Sequence, residues 1–197
     1  MEPGFSKVLE VANIMREFPA PWHVAGGWAI DLFLGEITRE HSDIEIGIYR
    51  CDQHALWPLL PGWNFEKAIT TLEGGQWIAW EKGEALSLPV HQIKVTRSGE
   101  GLAEFEFFLN EREGSHWKSR RHPGLMLPAE EVWLNSFLGI PIISPEIQLL
   151  FKAKHTRTKD IADFERTLPR LNRNQIDWLF GALSQYHPDH PWLASIS

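Results

Sequence analysis

Apolar residues between Phe5 and Phe18 recur at the spacing of one helix face, and Trp22 to Ala25 follow as a short strand. Trp28 to Leu34 then read as a second helix closed by Gly35. In Asp43-Ile44-Glu45-Ile46-Gly47-Ile48 the pattern changes to alternation, so Ile44, Ile46 and Ile48 face a core while Asp43 and Glu45 project together from the other side. A helix is expected over Asp52 to Leu60, stopped by Pro61-Gly62, and strand-like runs fill Trp63 to Asn110 between glycine-containing breaks. Val90 to Val95 and Glu104 to Leu109 alternate like neighbouring strands. Ser144 is placed as an N-cap with Pro145 at the first helical position of a helix reaching Lys154. Two further helices are expected, from near Lys159 to before Pro169, and from Arg173 to Gln185 with Asn172 or Asn174 as cap. The order predicts an α+β fold: a mixed, twisted sheet flanked by helices over residues 1–140, then a small helical region over residues 141–197.

Two carboxylates on one face of a strand need a cation. At ~4 Å and an effective dielectric of 20 their repulsion is about 4 kcal/mol, which a divalent metal removes. Asp43 and Glu45 therefore read as half of a Mg²⁺ site. Gly26 and Gly27, at a strand-to-helix junction, let backbone approach a phosphate at a helix N-terminus.

Composition narrows the partners. With 43% hydrophobic residues and ten tryptophans, the 197-residue chain is too apolar for a disordered protein. It has no stretch approaching ~18 apolar residues and no apolar leader, so a soluble, cytoplasmic protein is expected. Cys51 has no partner for an internal disulfide and is expected to be partly buried. A net charge of -7 without an extended basic run argues against a protein that holds nucleic acid through phosphates. An acidic cleft would attract polycationic acceptors instead.

Gly-Gly-Trp, an intervening helix and Asp-x-Glu on the next strand resemble the nucleotidyltransferase superfamily that includes DNA polymerase beta. The longer string GGWAIDLFLGEITREHSDIEIGI is similar to the small bacterial branch of aminoglycoside 2''-adenylyltransferases and lincosamide nucleotidyltransferases. FFLNERE, HWKSRRHP, PEIQLLFKAKHTRTKDIADFERTLPRL and HPDHPW extend the likeness over nearly the whole chain. The resemblance makes residues 1–140 the nucleotidyltransferase catalytic domain. It implies a third metal ligand on a neighbouring strand, for which Glu106 is chosen, with Glu104 on the same face as an alternative ligand or a base. It also implies that Gly27 contacts the triphosphate, more firmly than Gly26. Arg39, in Thr-Arg-Glu-His, would bind a phosphate or hold a site carboxylate. Lys152, with Lys154 as contender, and Lys159 would approach the β- and γ-phosphates, and Arg120-Arg121 is either a phosphate clamp or an exposed pair. His41 is expected to be a surface or hydrogen-bonded histidine.

The implied activity is Mg²⁺-dependent transfer of a nucleoside monophosphate, AMP from ATP or its counterpart from another NTP, to a hydroxyl of a small molecule such as an aminoglycoside or lincosamide. Two Mg²⁺ ions would be held by Asp43, Glu45 and Glu106, with Glu104 or Glu111 as candidate bases and Trp77, Trp80 and Trp117 as candidate cleft walls. The alternatives are a toxin-type enzyme modifying tRNA or protein, and a non-catalytic nucleotide-binding module. A homodimer is compatible with the resemblance.

Overall fold

The computed structural model describes residues 3–71, 74–99, 101–122 and 124–196. Helix α1 (Ser6–Met15) follows a 3-10 turn at Pro3–Phe5. It stops short of the expected Phe18, because Pro19 disfavours helical backbone in the residue before it. Strand β1 (Trp22–Ala25) runs directly into α2 (Gly26–Leu34), which closes at Gly35 in the left-handed conformation, φ 82°. Strand β2 (Glu45–Tyr49) is followed by a 3-10 segment, Arg50–Ala55, and by α3 (Leu56–Leu59), so the helix expected from Asp52 is largely 3-10.

Strands β3 (Asn64–Thr71), β4 (Gly74–Ala79), β5 (Gln92–Thr96) and β6 (Glu104–Glu113) complete one wing of the sheet. The stretch beyond Glu113 carries short elements that alternation does not reveal: β7 (His116–Lys118), β8 (Met126–Pro128), α4 (Ala129–Val132), β9 (Trp133–Asn135) and β10 (Pro141–Ile143). The strand order is β4-β3-β5-β6-β2-β1-β10-β9, with β7 and β8 branching from β6. The β2–β6 and β1–β10 pairs are parallel and the others antiparallel, giving the expected mixed sheet. Residues 141–143 thus join the sheet beside β1.

Helices α5 (Pro145–Ala153), α6 (Thr158–Thr167), α7 (Arg173–Tyr186) and α8 (Leu193–Ile196) form the C-terminal layer. Ser144 occupies the N-cap position of α5, but its hydroxyl donates to the Glu131 carbonyl instead of capping the helix. Asn172 does cap α7, accepting from the Gln175 N–H at 3.0 Å while the Gln175 side chain accepts from the Asn172 N–H.

Two apolar clusters meet at α2. Ile44, Ile46, Ile48, Phe105 and Phe107 pack one face of the sheet against α1, as their alternation requires. Ile30 and Leu34 on α2 face the other way, into Leu149, Leu150, Phe164, Leu179 and Leu183. Because β1 and β10 run parallel, α2 and α5 leave the sheet at the same end. Antiparallel pairing with β1 starts β2 at that end, and β6, parallel to β2, brings Glu106 there too. No helix of the described residues is long and apolar enough to cross a membrane.

Candidate functional site

Glu45 and Glu106 are cross-strand partners at the shared end of β2 and β6. Asp43 lies two residues before, in extended chain just ahead of β2, and is exposed. Burial pushes the Glu45 carboxyl above the usual range, and the Asp43 and Glu106 charges add to the rise. Burial likewise raises Glu106, with further contributions from Asp43 and Glu104, although the Gln92 amide donates to it at 2.6 Å. The three carboxylates therefore feel one another, as the i, i+2 pattern predicts for Asp43 and Glu45. Among the described residues no group of three His, Cys, Asp or Glu side chains is gathered closely enough to hold a metal ion as arranged. The donor chemistry nevertheless suits a hard divalent cation: oxygen ligands only, with an excess of negative charge. Glu104 is exposed, beside Asp43 in an adjoining groove, whereas Glu111 accepts from Arg50 at 2.7 Å and faces a separate groove.

The glycine turn is packed to its limit. Gly26 has φ 68°, and a Cβ there would collide with the Glu45 carboxylate. Its N–H, one of the donors that the start of α2 leaves unpaired, is taken by Gln148 Oε1 in the first turns of α5 at 2.8 Å. A Cβ at Gly27 would strike the Arg39 guanidinium and the His41 ring. Gly26→Ala is expected to combine left-handed strain of about 1–2 kcal/mol with a clash against Glu45, lowering the urea midpoint. Gly27→Ala, free of that φ penalty, is expected to lose less stability and to displace Arg39 instead, as a crystal structure of the variant would show.

Behind the turn, Asp31 accepts from the Thr38 hydroxyl and from His41 Nε2, each at 2.6 Å. Arg39 Nη1 is 3.0 Å from His41 Nδ1; since a guanidinium only donates, Nδ1 accepts and Nε2 carries the proton donated to Asp31. His41 is therefore hydrogen-bonded and buried, not at the surface. Asp31 could have been found from sequence: an Asp inside the apolar run Trp28 to Leu34 must find donors.

Arg39 grips Asp163 with two bonds of 3.1 Å. The Lys152 ammonium is buried and lies 3.0 Å from Asp160 and 2.9 Å from Asp163. Thus two of the cations expected at phosphates, Arg39 and Lys152, are held by α6 carboxylates, and the sequence did not single out Asp160 and Asp163 as their partners. Both cations still line a 490 Å³ cleft with Gly26, Gly27, Asp43 and Glu45. Lys154, Lys159, Arg120 and Arg121 line it as well, with Arg120 exposed and Arg121 half-buried. Lys and Arg in the lining outnumber Asp and Glu seven to three, so the expected acidic cleft is corrected: the negative charge of the chain lies elsewhere. Trp80 and Trp117 are buried and Trp77 lies under the Lys94 ammonium, so none of the three lines this cleft. Cys51 is exposed rather than partly buried.

Residues 7–71, including the glycine turn, Asp43 and Glu45, match the aminoglycoside-2''-adenylyltransferase family. Compared by sequence with curated proteins, the chain has no match. Its fold is that of the lincosamide antibiotic adenylyltransferase LnuA in its lincomycin-bound crystal structure (TM-score 0.56, 16% identity, covering 82% of this chain and 94% of that one). The antibiotic-resistance factor ANT(2'')-Ia is similar in its solution structure (TM-score 0.54, 16% identity, 95% and 98% covered). It is similar also in its crystal structure with adenylyl-2''-tobramycin (TM-score 0.55, 14% identity, 93% and 98% covered). The branch resembled by the sequence is the one the comparisons return.

Proposed function

From a nucleotidyltransferase fold whose residues 7–71 match the aminoglycoside-2''-adenylyltransferase family, we propose that this protein transfers a nucleoside monophosphate, AMP from ATP, to a hydroxyl of a small molecule. The acceptor class in this reading is that of the structural neighbours, an aminoglycoside or lincosamide antibiotic. The observation that carries it is the meeting of three mutually repelling carboxylates, the Gly26–Gly27 turn and a cation-rich cleft at one end of the sheet.

Asp43, Glu45 and Glu106 would hold the divalent cations, with Glu104 next to them. Bound there, the metal supplies neutralising charge and acidifies the acceptor hydroxyl. The protein's own residues do the rest. Gly26 and Gly27 line the cleft at the start of α2, where the triphosphate would lie along their backbone, while Arg39, Lys152 and Lys159 balance the charge of its β- and γ-phosphates. Arg120 and Arg121, which line the same cleft, would add to that charge. The acceptor hydroxyl passes its proton to Glu104, the candidate base beside Asp43, as its oxygen attacks the α-phosphorus in line; the bond to the bridging oxygen breaks, and pyrophosphate leaves toward the cations. Fixed charge and positioning supply most of the rate in such a site.

Calorimetric titration with ATP, GTP, CTP and UTP, with and without Mg²⁺, tests the donor half. Binding of ATP is expected to tighten at least tenfold with Mg²⁺. No nucleotide binding under either condition would sink the reading. Mass spectrometry of lincomycin and tobramycin incubated with the protein and Mg²⁺-ATP tests the acceptor half, an added AMP on one of the two being the expected result.

A further inference from the structure

A second, smaller cavity of 80 Å³ lies against the cleft on the far side of Glu45. In the β1–β2 ladder Ala25 pairs with Glu45 and His23 with Gly47, so His23 sits two residues, roughly 7 Å, beyond the carboxylate and away from the glycine turn. The His23 imidazole lies across Gly47: a Cβ at that position would run into its Nε2 and Cε1 atoms and come within 2.9 Å of Asn110 Nδ2. Gly47 is thus the floor that makes room.

His23 is only 3% exposed and stacks on Trp133, yet it makes no hydrogen bond among the described residues. Buried polar side chains are nearly always paired, and an exception calls for a partner from outside the chain. Gln148 presents a second such group. Its Oε1 is committed to Gly26 and its amide nitrogen has no partner among the described residues. Both residues line this cavity, together with Phe108, Trp117 and Phe151. Aromatic walls with a few unsatisfied hydrogen-bonding groups are the composition of a ligand subsite.

Which ligand follows from the chemistry of transfer, and the inference rests on the nucleotidyl-transfer reading. In-line displacement puts the attacking oxygen and the departing pyrophosphate on opposite sides of the α-phosphorus. The phosphate-side residues Gly27, Arg39 and Lys152 lie beyond one end of Glu45, and His23 lies beyond the other. We infer that the cavity floored by Gly47 is the acceptor subsite, in which His23 and Gln148 read the hydroxyl-bearing edge of an uncharged acceptor ring. Its volume corresponds to roughly two or three waters, which admits the edge of a ring and not a whole one. Charge excludes an ammonium group there, because Arg120 and Arg121 line this cavity too, against the single carboxylate of Glu45. Burial brings the His23 imidazole down to about 4, so at neutral pH it serves as a neutral hydrogen-bonding partner.

The test uses the full chain with Mg²⁺-ATP bound. Methyl glucoside is the uncharged probe and glucosamine its cationic counterpart, with binding read by saturation-transfer NMR and the His23 ring followed by ¹⁵N-histidine spectra. The expected result is that methyl glucoside shifts the His23 signal, that glucosamine binds at least tenfold more weakly, and that Mg²⁺-ATP alone leaves His23 in place. Gly47→Ala should abolish methyl glucoside binding while keeping the ATP dissociation constant within twofold. Should that variant not fold, His23→Leu is expected to give the same split. A His23 shift with ATP alone would assign the cavity to the nucleoside and overturn the inference. ATP binding with no response to methyl glucoside would overturn it and leave the transferase reading standing, whereas failure of the parent protein to bind ATP would overturn both.

Discussion

Asp43→Asn is expected to lower nucleotidyl transfer about 10³-fold while leaving the folded protein as stable as its parent, or slightly more so. The loss follows from removing charge where the phosphoryl group is handled: deleting one fixed electrostatic contact to a transition state costs about 10²–10³-fold, and a group shared between metal sites falls at the upper end. The gain follows from the ground state. Asp43 is exposed, it accepts from the Ser42 hydroxyl at 3.1 Å, and its charge pushes up both Glu45 and Glu106. Asparagine keeps the shape and removes a repulsion, the familiar opposition of stability and activity at a functional site. Turnover assays and urea denaturation of the same preparations check both halves. A fall in turnover below tenfold would remove Asp43 from the metal-binding role, and a large loss of stability would make it structural.

The part of this site legible in the sequence is the part written in local pattern. Alternation alone places Ile44, Ile46 and Ile48 in the core and Glu45 on the opposite face, and the structure agrees. Ala25 followed by two glycines marks the end of β1 to the residue, although α2 starts at Gly26, two residues before the expected Trp28. Glu106 is different. Alternation shows only that Glu104 and Glu106 share a face, and it is the parallel β2–β6 register, a contact over sixty residues apart, that pairs Glu106 with Glu45. The same distance hides Arg39 from Asp163 and Gly26 from Gln148. The short elements between His116 and Ile143 escape for another reason: three-residue strands span too few positions to show a period. Net charge misled in a third way, since it averages over the surface and the cations gather in one cleft.

That gathering is held by buried charge, which makes Asp163 the residue whose loss should cost most stability. Its side chain is 1% exposed and receives both Arg39 and Lys152. Asp163→Ala takes from Arg39 its carboxylate partner and leaves Lys152 only Asp160, which Arg157 also holds, and breaking a buried pair in this way costs about 3–5 kcal/mol. By contrast Asp177→Ala, which breaks the exposed i, i+4 pair with Arg173, is expected to cost less than about 1 kcal/mol. The dependence on pH separates this network from the rest of the fold. Burial by itself would raise the Asp163 carboxyl, but Arg39 and Lys152 outweigh it and the group ends below its ordinary range; Asp160 is lowered in the same manner by Arg157 and Lys152. A carboxyl depressed in the folded state stabilises it above the unfolded value of about 3.9 and loses that contribution as pH falls toward the folded value. His23 and His122, both brought down to about 4 chiefly by burial, act at higher pH: stability is lost as pH falls from about 6.5 toward 4. The parent should therefore weaken in two stages on acidification, the histidine stage first and the aspartate stage below it. Asp163→Asn is expected to be destabilised at pH 7 and to lose less additional stability below pH ~4 than the parent, with the histidine stage unchanged. Urea midpoints from pH 8 to 3 would show this, and parallel curves for parent and variant below pH ~4 would remove Asp163 from the network that orders the cleft.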